Sequence, residues 1–434
     1  MRIIHTSDWH LGQYFYGKSR ANEHQQFLNW LLVQVKNHGI NVIIVAGDIF
    51  DTATPPSYAR QMYFNFISDL QAFDCQLVIL AGNHDSVSML AESKELLSAL
   101  STNVVANVTD ITIDSNLAEQ VFTLKNAEGV PQAVICAIPF IRPRDVMKSQ
   151  AGQSATDKSK QLQQAIVQHY QCLFEQAKQL VKNSGCQLPI IATGHLTALG
   201  VTSSDSVRDI YIGTLEAFPS NAFPDADYIA LGHIHRAQKV GKTEHIRYSG
   251  SPIALSFDEA KQQKRVLLVD FDKEKLSKIT DLIVPCFQPL AMLKTTLDNL
   301  HQDIETLIPV LLTEENKTDK AVKLWLDIEL ANSGSLNDLQ SKITALVKDF
   351  PVEVLLVRRQ KQVRQRLLFE QQQDHSNLNE LTLVEVFDSR LQQEEALNTN
   401  DLDDPLHDEG LKRKTQLQTL FNQTVAQVLS KDEL

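Results

Sequence analysis

Five times in the first 235 residues an apolar run stops abruptly at a small polar cluster. "RIIHTS" runs into "SDWH", "NVIIVAG" into "GDIFD", "QLVILAG" into "GNHD", "LPIIATG" into "GH" and "DYIALG" into "GHIH". Runs rich in β-branched residues, apolar on both parities, read as strands buried on both faces. Polar residues at one end of each place a site on the loops along one sheet edge. "AVICAIP" and "RVLLVDF" extend the series. Between the first two runs, "EHQQFLNWLLVQVKNHG" carries Phe27, Leu28, Leu31, Leu32 and Val35 at helical spacing and closes on Gly39, which predicts a helix. Such alternation implies α/β layering.

A chain of 434 residues is too long for one core and predicts two or three domains. Its hydrophobic content of 43% and charged content of 22% are those of a globular protein. No apolar run approaches the ~20 residues of a bilayer span, and "MRIIHTSDWH" carries no leader-like apolar segment. A cytoplasmic, nucleoid-associated protein with no membrane contact is expected. Cys75, Cys136, Cys172, Cys186 and Cys286 form no CxxC pair and read as reduced core thiols. The terminal "KDEL" is taken as coincidence, since that address needs an entry signal. A net charge of −12 argues against a protein that coats nucleic acid with its own basic surface. It leaves a nuclease open, because bound metal ions supply local positive charge.

The pattern changes after Pro285. "AVKLWLDIEL" places Val322, Leu324, Leu326, Ile328 and Leu330 on one face of a strand. "SLNDLQSKITALVKDF" has helical spacing and "VEVLLVRR" is strand-like, so a small β-α-β domain is expected. From Arg358 the chain turns Gln-rich and charged, and after the acidic "NTNDLDDPLHDEG" a last amphipathic helix carries Leu417, Leu420, Phe421, Val425 and Val428. Polar sequence with narrow apolar stripes buries little alone, which favours a partner surface over a hairpin folded on its own domain. The expected organisation is a catalytic domain over 1–275, a small domain over 280–360 and a helical segment over 375–434.

A lone "GNHD" is commonly a turn, and a lone "DxH" says little. All five clusters in order, each at a strand exit, are hard to explain as separate turns. Asp8 and His10, like His233 and His235, stand two residues apart, so an extended backbone would point each pair to one side, where it could close on one ion. Two carboxylates, one amide and four imidazoles suit manganese, iron, cobalt or zinc rather than calcium or magnesium. One ion could not use all seven groups. Two ions sharing a carboxylate could, about 3.5 to 4 Å apart, the arrangement that polarises a phosphate.

These motifs, DxH, GDxxD, GNHD, GH and GHxH in order, resemble those of the calcineurin-like metallophosphoesterase superfamily over the first 270 residues. More narrowly, "HTSDWHLGQ", "FYGKSR", "PPSYAR", "PFIRPRD", "SDSVRDIYIGTL" and "YIALGHIHRAQ" resemble bacterial nuclease subunits that work with an SMC-like ATPase. The resemblance implies a four-layer α/β/β/α sandwich with a DNA-contacting capping domain. It implies that Asp8, His10, Asp48 and His235 hold one metal, and that Asp48 bridges to a second held by Asn83, His195 and His233. Manganese is the expected ion, and ATP is expected on the partner, not on this chain. His84 would face the scissile phosphodiester, and Asp85 would orient His84 or cap the turn. Asp51 is left outside the metal shell. The implied activity is an ATP-dependent double-strand exonuclease that also nicks single strands and opens hairpins in recombination, replication and end processing. The implied assembly is a homodimer within a heterotetramer, with residues 58–66 as the dimer helix and 375–434 as the ATPase-binding segment.

Lys18, Arg20, Arg60, Arg142, Arg144, Arg208 and Arg236 could contact DNA phosphates, although ordinary surface charge explains any one of them as well. His5, His24 and His169 are expected to pack or face solvent. Two rivals remain at this point. A small-molecule phosphomonoesterase or cyclic-nucleotide phosphodiesterase would need neither the small domain nor the tail. A non-catalytic DNA-end scaffold would be expected to have lost a ligand, and none of the seven is missing.

Overall fold

A computed structural model of the chain describes residues 1–108, 117–147, 154–207, 217–311, 322–331 and 336–359, together with 387, 391 and 416–421. The chain divides into two units, Met1–Arg359 and Gln360–Leu434.

The first unit is built on two six-stranded sheets. In one, the parallel strands Arg2–Thr6, Val42–Ala46, Gln76–Leu80 and Thr102–Val105 lie side by side, and Arg265–Asp272 and Lys275–Ile283 add antiparallel at the Arg2–Thr6 side. In the other, Pro131–Cys136, Ile190–His195, Tyr228–Gly232 and Ile246–Tyr248 are parallel, with an antiparallel strand at each edge. The absence of alternation in the sequence now has its cause, because each central strand has two buried faces. Ile3, Ile44, Val78 and Leu80 of the first sheet meet Ile135, Ile191, Tyr228 and Ala230 of the second in one apolar layer. The opposite parity, Ile4, Ile43, Val45 and Ile79, packs under the helices Ala21–His38 and Ser57–Leu70. The helix Ala155–Ser184 covers the second sheet through Leu162, Ile166, Tyr170 and Leu173. The result is the four-layer α/β/β/α sandwich. The helix Ala21–His38 ends as its sequence predicts, on Gly39 at φ 57°.

His5 pins the layers together. Its Nδ1 lies 2.8 Å from Tyr228 Oη and its Nε2 3.2 Å from the Leu231 carbonyl, across the two sheets. His24 and His169 are buried as well.

The small domain is larger than its sequence suggests. Leu290–Thr295, Leu324–Leu330 and Val352–Arg359 form a parallel sheet in that order, with helices Leu300–Leu311 and Leu336–Val347 between them. It is therefore β-α-β-α-β, not β-α-β. "LAMLKT" was missed because it has a single β-branched residue, at its last position. Leu324, Leu326, Ile328 and Leu330 face the helices, as expected. Trp325, of the opposite parity, is also buried, against Phe15, Phe257 and Leu290. Its ring stacks on Phe15, 5.8 Å between centroids and 10° from parallel. Lys18 pairs with Glu353 across the same junction.

In the second unit Phe387 stacks on Phe421, with centroids 3.9 Å apart. Most of the helical segment expected over 375–434 lies outside the described residues. Among those described, no helix is long and apolar enough to cross a membrane.

Candidate metal centre

The polar clusters meet where strand exits of the two sheets face each other. The first two exits are laced together by backbone bonds: Asp8 N–H donates to the Gly47 carbonyl (3.0 Å) and His10 N–H to the Asp48 carbonyl (3.1 Å). This lacing turns the chain sharply. Asp8, His10, Asp48 and His233 all adopt positive φ, at 54°, 47°, 51° and 88°. Each such non-glycine residue costs on the order of 1–2 kcal/mol, strain that concentrates at functional sites. The extended geometry expected for Asp8–His10 and His233–His235 is thus absent, and the second pair does not share an ion site.

Two glycines allow the approach. A Cβ on Gly82 would lie 2.1 Å from Asp48 Oδ1, and one on Gly232 would lie 1.9 Å from the Ala46 carbonyl. Either would push two exits apart.

Three groups with metal-binding spacing result among the described residues, one of them, His10, Asp51 and His84, at the edge of the site and including the Asp51 that the sequence reading left outside the metal shell. Ligand atoms of Asp8, His10 and His235 gather within 4.8 Å of one another, and so do those of Asp48, His195 and His233. Asn83 joins the second cluster, its Oδ1 being 3.0 Å from His195 Nε2 and 3.1 Å from His233 Nδ1. Asp48 stands between the clusters, with Oδ2 3.2 Å from His195 Nε2 and 3.6 Å from His10 Nε2. Asp8, His10, Asp48, His195, His233 and His235 are all buried.

The donor set fits a cation. His195 Nδ1 lies 2.9 Å from the Ala46 carbonyl, an acceptor, so the neutral ring carries its proton there. The Nε2 lone pair then faces two further acceptors, Asn83 Oδ1 and Asp48 Oδ2. With the amide oxygen turned to the ring, a second proton or a metal ion makes that arrangement favourable. The local field agrees: burial lowers the pKa of His195, but the charge and hydrogen bond of Asp48 and the charge of Asp8 outweigh it and raise it to about 9. His10 is likewise lowered by burial yet raised to about 8 by its bond to Asp51 and the charges of Asp48, Asp51 and Asp8. The Nε2 atoms of His10 and His233 are buried without a hydrogen-bond partner among the described residues. Burial and the charge of His195 hold His233 well below the ordinary imidazole range, so its lone pair stays open, while the carboxylate field that raises His10 and His195 also attracts divalent cations.

His84 sits at the edge of the clusters, half-buried, its ring 4.8 Å from that of His10. Its Nδ1 donates to the Asp51 carbonyl at 2.7 Å, so proton exchange with a substrate falls to Nε2. Its backbone N–H donates to Asp48 Oδ1 at 2.9 Å. Asp51 therefore orients two histidines, His84 through its carbonyl and His10 through its carboxylate, 3.1 Å from Nδ1. Asp85 caps: it accepts from the N–H groups of Gly82 (2.8 Å), Phe50 (3.0 Å) and Ile49 (3.1 Å), tying the "GNHD" turn to the "GDIFD" turn. Burial and the Asp48 charge lift its pKa to about 6 against those bonds.

The sequence reading missed Glu259. Fully buried, it lies 3.4 Å from His235 Nδ1 and accepts from Ser204, Ser206 and Lys264. No motif contains it, and only its place within "SFDEAKQQK", shortly after the "GHIH" exit, hinted at proximity. Ser7, which donates to Asp8 Oδ2 at 2.5 Å, was missed too.

Of the basic residues, Arg20 is not surface charge. It is buried, paired with Glu23, and donates to the Ala254 carbonyl. Lys18 is engaged by Glu353, and Arg142 donates to the Asp85 carbonyl at 3.1 Å. Arg60, Arg144 and Arg236 are exposed, and Arg208 lies outside the described residues.

Comparison with known proteins bears on this geometry. Residues 1–237 match the calcineurin-like phosphoesterase family model, and residues 286–395 match one described as the type 5 capsule protein repressor C-terminal domain. The SbcD subunit of the SbcCD nuclease of Escherichia coli (strain K12) is 50% identical over 395 residues, covering 91% of this chain and 94% of that protein. The protein of the same name from Bacillus subtilis (strain 168) is 28% identical over 343 residues, 78% of this chain and 81% of the relative.

Proposed function

Because this chain belongs to the family of SbcD nuclease subunits within the calcineurin-like phosphoesterases, we propose that it hydrolyses DNA phosphodiesters at a two-metal centre. The observation that carries the reading is the pair of buried clusters meeting at Asp48. Asp8, His10, Asp48 and His235 would hold one divalent ion, and Asp48, Asn83, His195 and His233 the other, with manganese favoured by the mixed oxygen and nitrogen donors. Two such ions, when bound, neutralise charge on a phosphoryl group and lower the pKa of water.

The chain's own residues do the rest. Asn83 offers its amide oxygen to the second cluster and keeps its NH₂ for a phosphate oxygen, which a carboxylate could not do. His84, fixed by donation of Nδ1–H to the Asp51 carbonyl, presents Nε2 to the substrate, and in its doubly protonated form gives a hydrogen bond or the Nε2 proton toward the leaving 3′ oxygen, ending as the neutral ring. Asp85 keeps both turns in register while this happens.

In this reading the chain works with a second subunit of the SbcC type, as the SbcCD name of its relatives suggests, and by the resemblance of its sequence that subunit is an SMC-like ATPase that binds the ATP. Double-strand exonuclease activity needs that ATPase, while nicking of single strands and opening of hairpins belong to the same centre. Residues 280–360 contact DNA, residues 375–434 bind the ATPase, and residues 58–66, on the helix Ser57–Leu70 with Phe64 exposed, join two copies in a heterotetramer.

The test is manganese-dependent cleavage of end-labelled duplex and hairpin DNA, with and without the ATPase and ATP. Duplex resection only with both present supports the nuclease and its gating. No cleavage of DNA, with hydrolysis of an aryl phosphate intact, would leave the small-molecule phosphodiesterase standing. Light scattering that finds one copy of this chain per complex would remove the dimer.

A further inference from the structure

Six groups converge on a carboxylate that the mechanism above does not use, Ser251 Oγ (3.4 Å) and Ser256 Oγ (3.2 Å) among them. Glu259 is fully buried on the one-turn helix Phe257–Glu259. Its Oε2 accepts from Lys264 Nζ (2.6 Å) and from the Leu255 N–H (3.0 Å), and its Oε1 from Ser204 Oγ (2.7 Å) and Ser206 Oγ. Burying a carboxylate is costly unless it is paired and hydrogen-bonded, and here both conditions are met.

The arrangement points at one ligand. His235 Nδ1 lies 2.6 Å from Ser206 Oγ, whose hydroxyl is directed at Glu259 Oε1, and Oε1 itself is 3.4 Å from that Nδ1. A serine has one proton to give. If it goes to the carboxylate, Ser206 must accept from His235, which fixes the imidazole proton on Nδ1 and leaves the lone pair on Nε2. Lys264 reinforces this by donating to the His235 carbonyl at 3.1 Å and to Ser251 Oγ at 2.9 Å, so ring and backbone of His235 are held from one side.

We propose that Glu259, acting through Ser206, is a positioning residue that sets the tautomer and orientation of His235 for metal binding in the Asp8–His10–His235 cluster. The assignment rests on the two-metal reading and adds a role for the segment 254–264. The same turn is braced from outside. Phe257, two residues before Glu259, packs against Phe15 with centroids 5.0 Å apart, and both share a buried cluster with Leu290 and Trp325 of the small domain. In the other cluster His195 is oriented by the Ala46 carbonyl instead, so the effect of Glu259 is confined to one of the two ions.

The experiment is a manganese titration of the full chain followed by electron paramagnetic resonance, for the parent and for Glu259→Ala, Glu259→Gln and Ser206→Ala. Outer partners of metal-bound histidine are worth about 10–100-fold in affinity. Glu259→Ala should weaken one of two sites by that factor, leave the other within about twofold, and delay the exchange-coupled two-manganese signal to higher manganese. Glu259→Gln, which keeps an oxygen for Ser206, should recover part of the loss. Should Glu259→Ala fail to fold with Lys264 unpaired, Glu259→Gln and Ser206→Ala decide the matter. Folded variants that bind both ions like the parent, or that lose both equally, overturn the proposal. A parent chain that binds fewer than two ions instead overturns the two-metal reading itself.

Discussion

His195 Nε2 and Asn83 Oδ1 lie 3.0 Å apart although the other nitrogen of the same ring already faces the Ala46 carbonyl. With the Asn83 oxygen facing the ring, the two acceptors attract only through a positive charge, and the carboxylates of Asp8 and Asp48 beside them favour one there. The centre is therefore built around cations, and its response to pH and substitution follows.

Metal and proton compete for His10 and His195. Their pKa values, raised to about 8 and about 9, lie above the 6.5 of an ordinary imidazole. With a chelator present, these two groups favour the folded chain fully below pH 6.5, and that contribution is lost as pH rises through about 8 and 9. Manganese must displace the same protons, so its stabilising effect grows over that interval. Thermal unfolding at pH 6 and pH 9, with chelator and with manganese, should show a manganese-induced rise in Tm that is larger at pH 9. A rise independent of pH would contradict it.

His84→Gln should leave manganese binding unchanged and lower DNA cleavage by about 10²–10⁴-fold, the usual worth of a general acid. Asp51→Ala should behave differently, because Asp51 touches both His10 and His84. Its carbonyl survives the substitution and its carboxylate does not, so manganese affinity should fall while the step served by His84 is largely kept. Equal loss of binding in both variants would contradict the division of roles.

Gly82→Ala should be far more harmful than its size suggests. The added methyl would lie 2.1 Å from Asp48 Oδ1 and 2.3 Å from the Asp48 nitrogen. The expected result is a chain destabilised by about 1–3 kcal/mol that has lost at least one manganese, measured by denaturant unfolding and metal analysis. Full manganese content would show that the "GNHD" turn can move away from Asp48.

His5 sets an acid limit on stability. Burial holds its pKa at about 3, against 6.5 for an ordinary imidazole, and the Leu231 carbonyl only partly opposes this. A folded-state pKa below the unfolded one means that stability is intact above pH 6.5 and falls as pH drops toward 3. One proton gives at most about 1.4 kcal/mol per pH unit. His5→Gln should lower stability at pH 7 yet flatten its decline between pH 6 and pH 4.5 by about one proton. An unchanged slope would mean that His5 is charged in the folded chain.

Seven strands of the two large sheets were legible because burial on two faces leaves unbroken apolar runs, while Thr102–Val105, Val121–Lys125, Gln238–Lys239, Ile246–Tyr248 and Lys275–Ile283, at or near the sheet edges, were not read. The division of His233 and His235 between clusters came from the family resemblance and not from their spacing, since it follows from His233 at φ 88°, which the "GHIH" sequence does not announce. Arg20 looked like surface charge because its neutralising partner, Glu23, stands among ordinary polar helix residues. Trp325 was assigned to no face, because Lys323, Asp327 and Glu329 share its parity and make that side of the strand read as solvent-facing, whereas Trp325 is buried there against Phe15, Phe257 and Leu290. Glu259 was illegible for a different reason: its importance lies in six hydrogen-bond donors that only the fold assembles.

The most direct measurement is anomalous diffraction at the manganese edge from crystals of the chain grown with manganese. The account predicts two peaks, one among Asp8, His10 and His235 and one among Asn83, His195 and His233, with Asp48 touching both. A single peak, or an ion coordinated without Asp48, would contradict it.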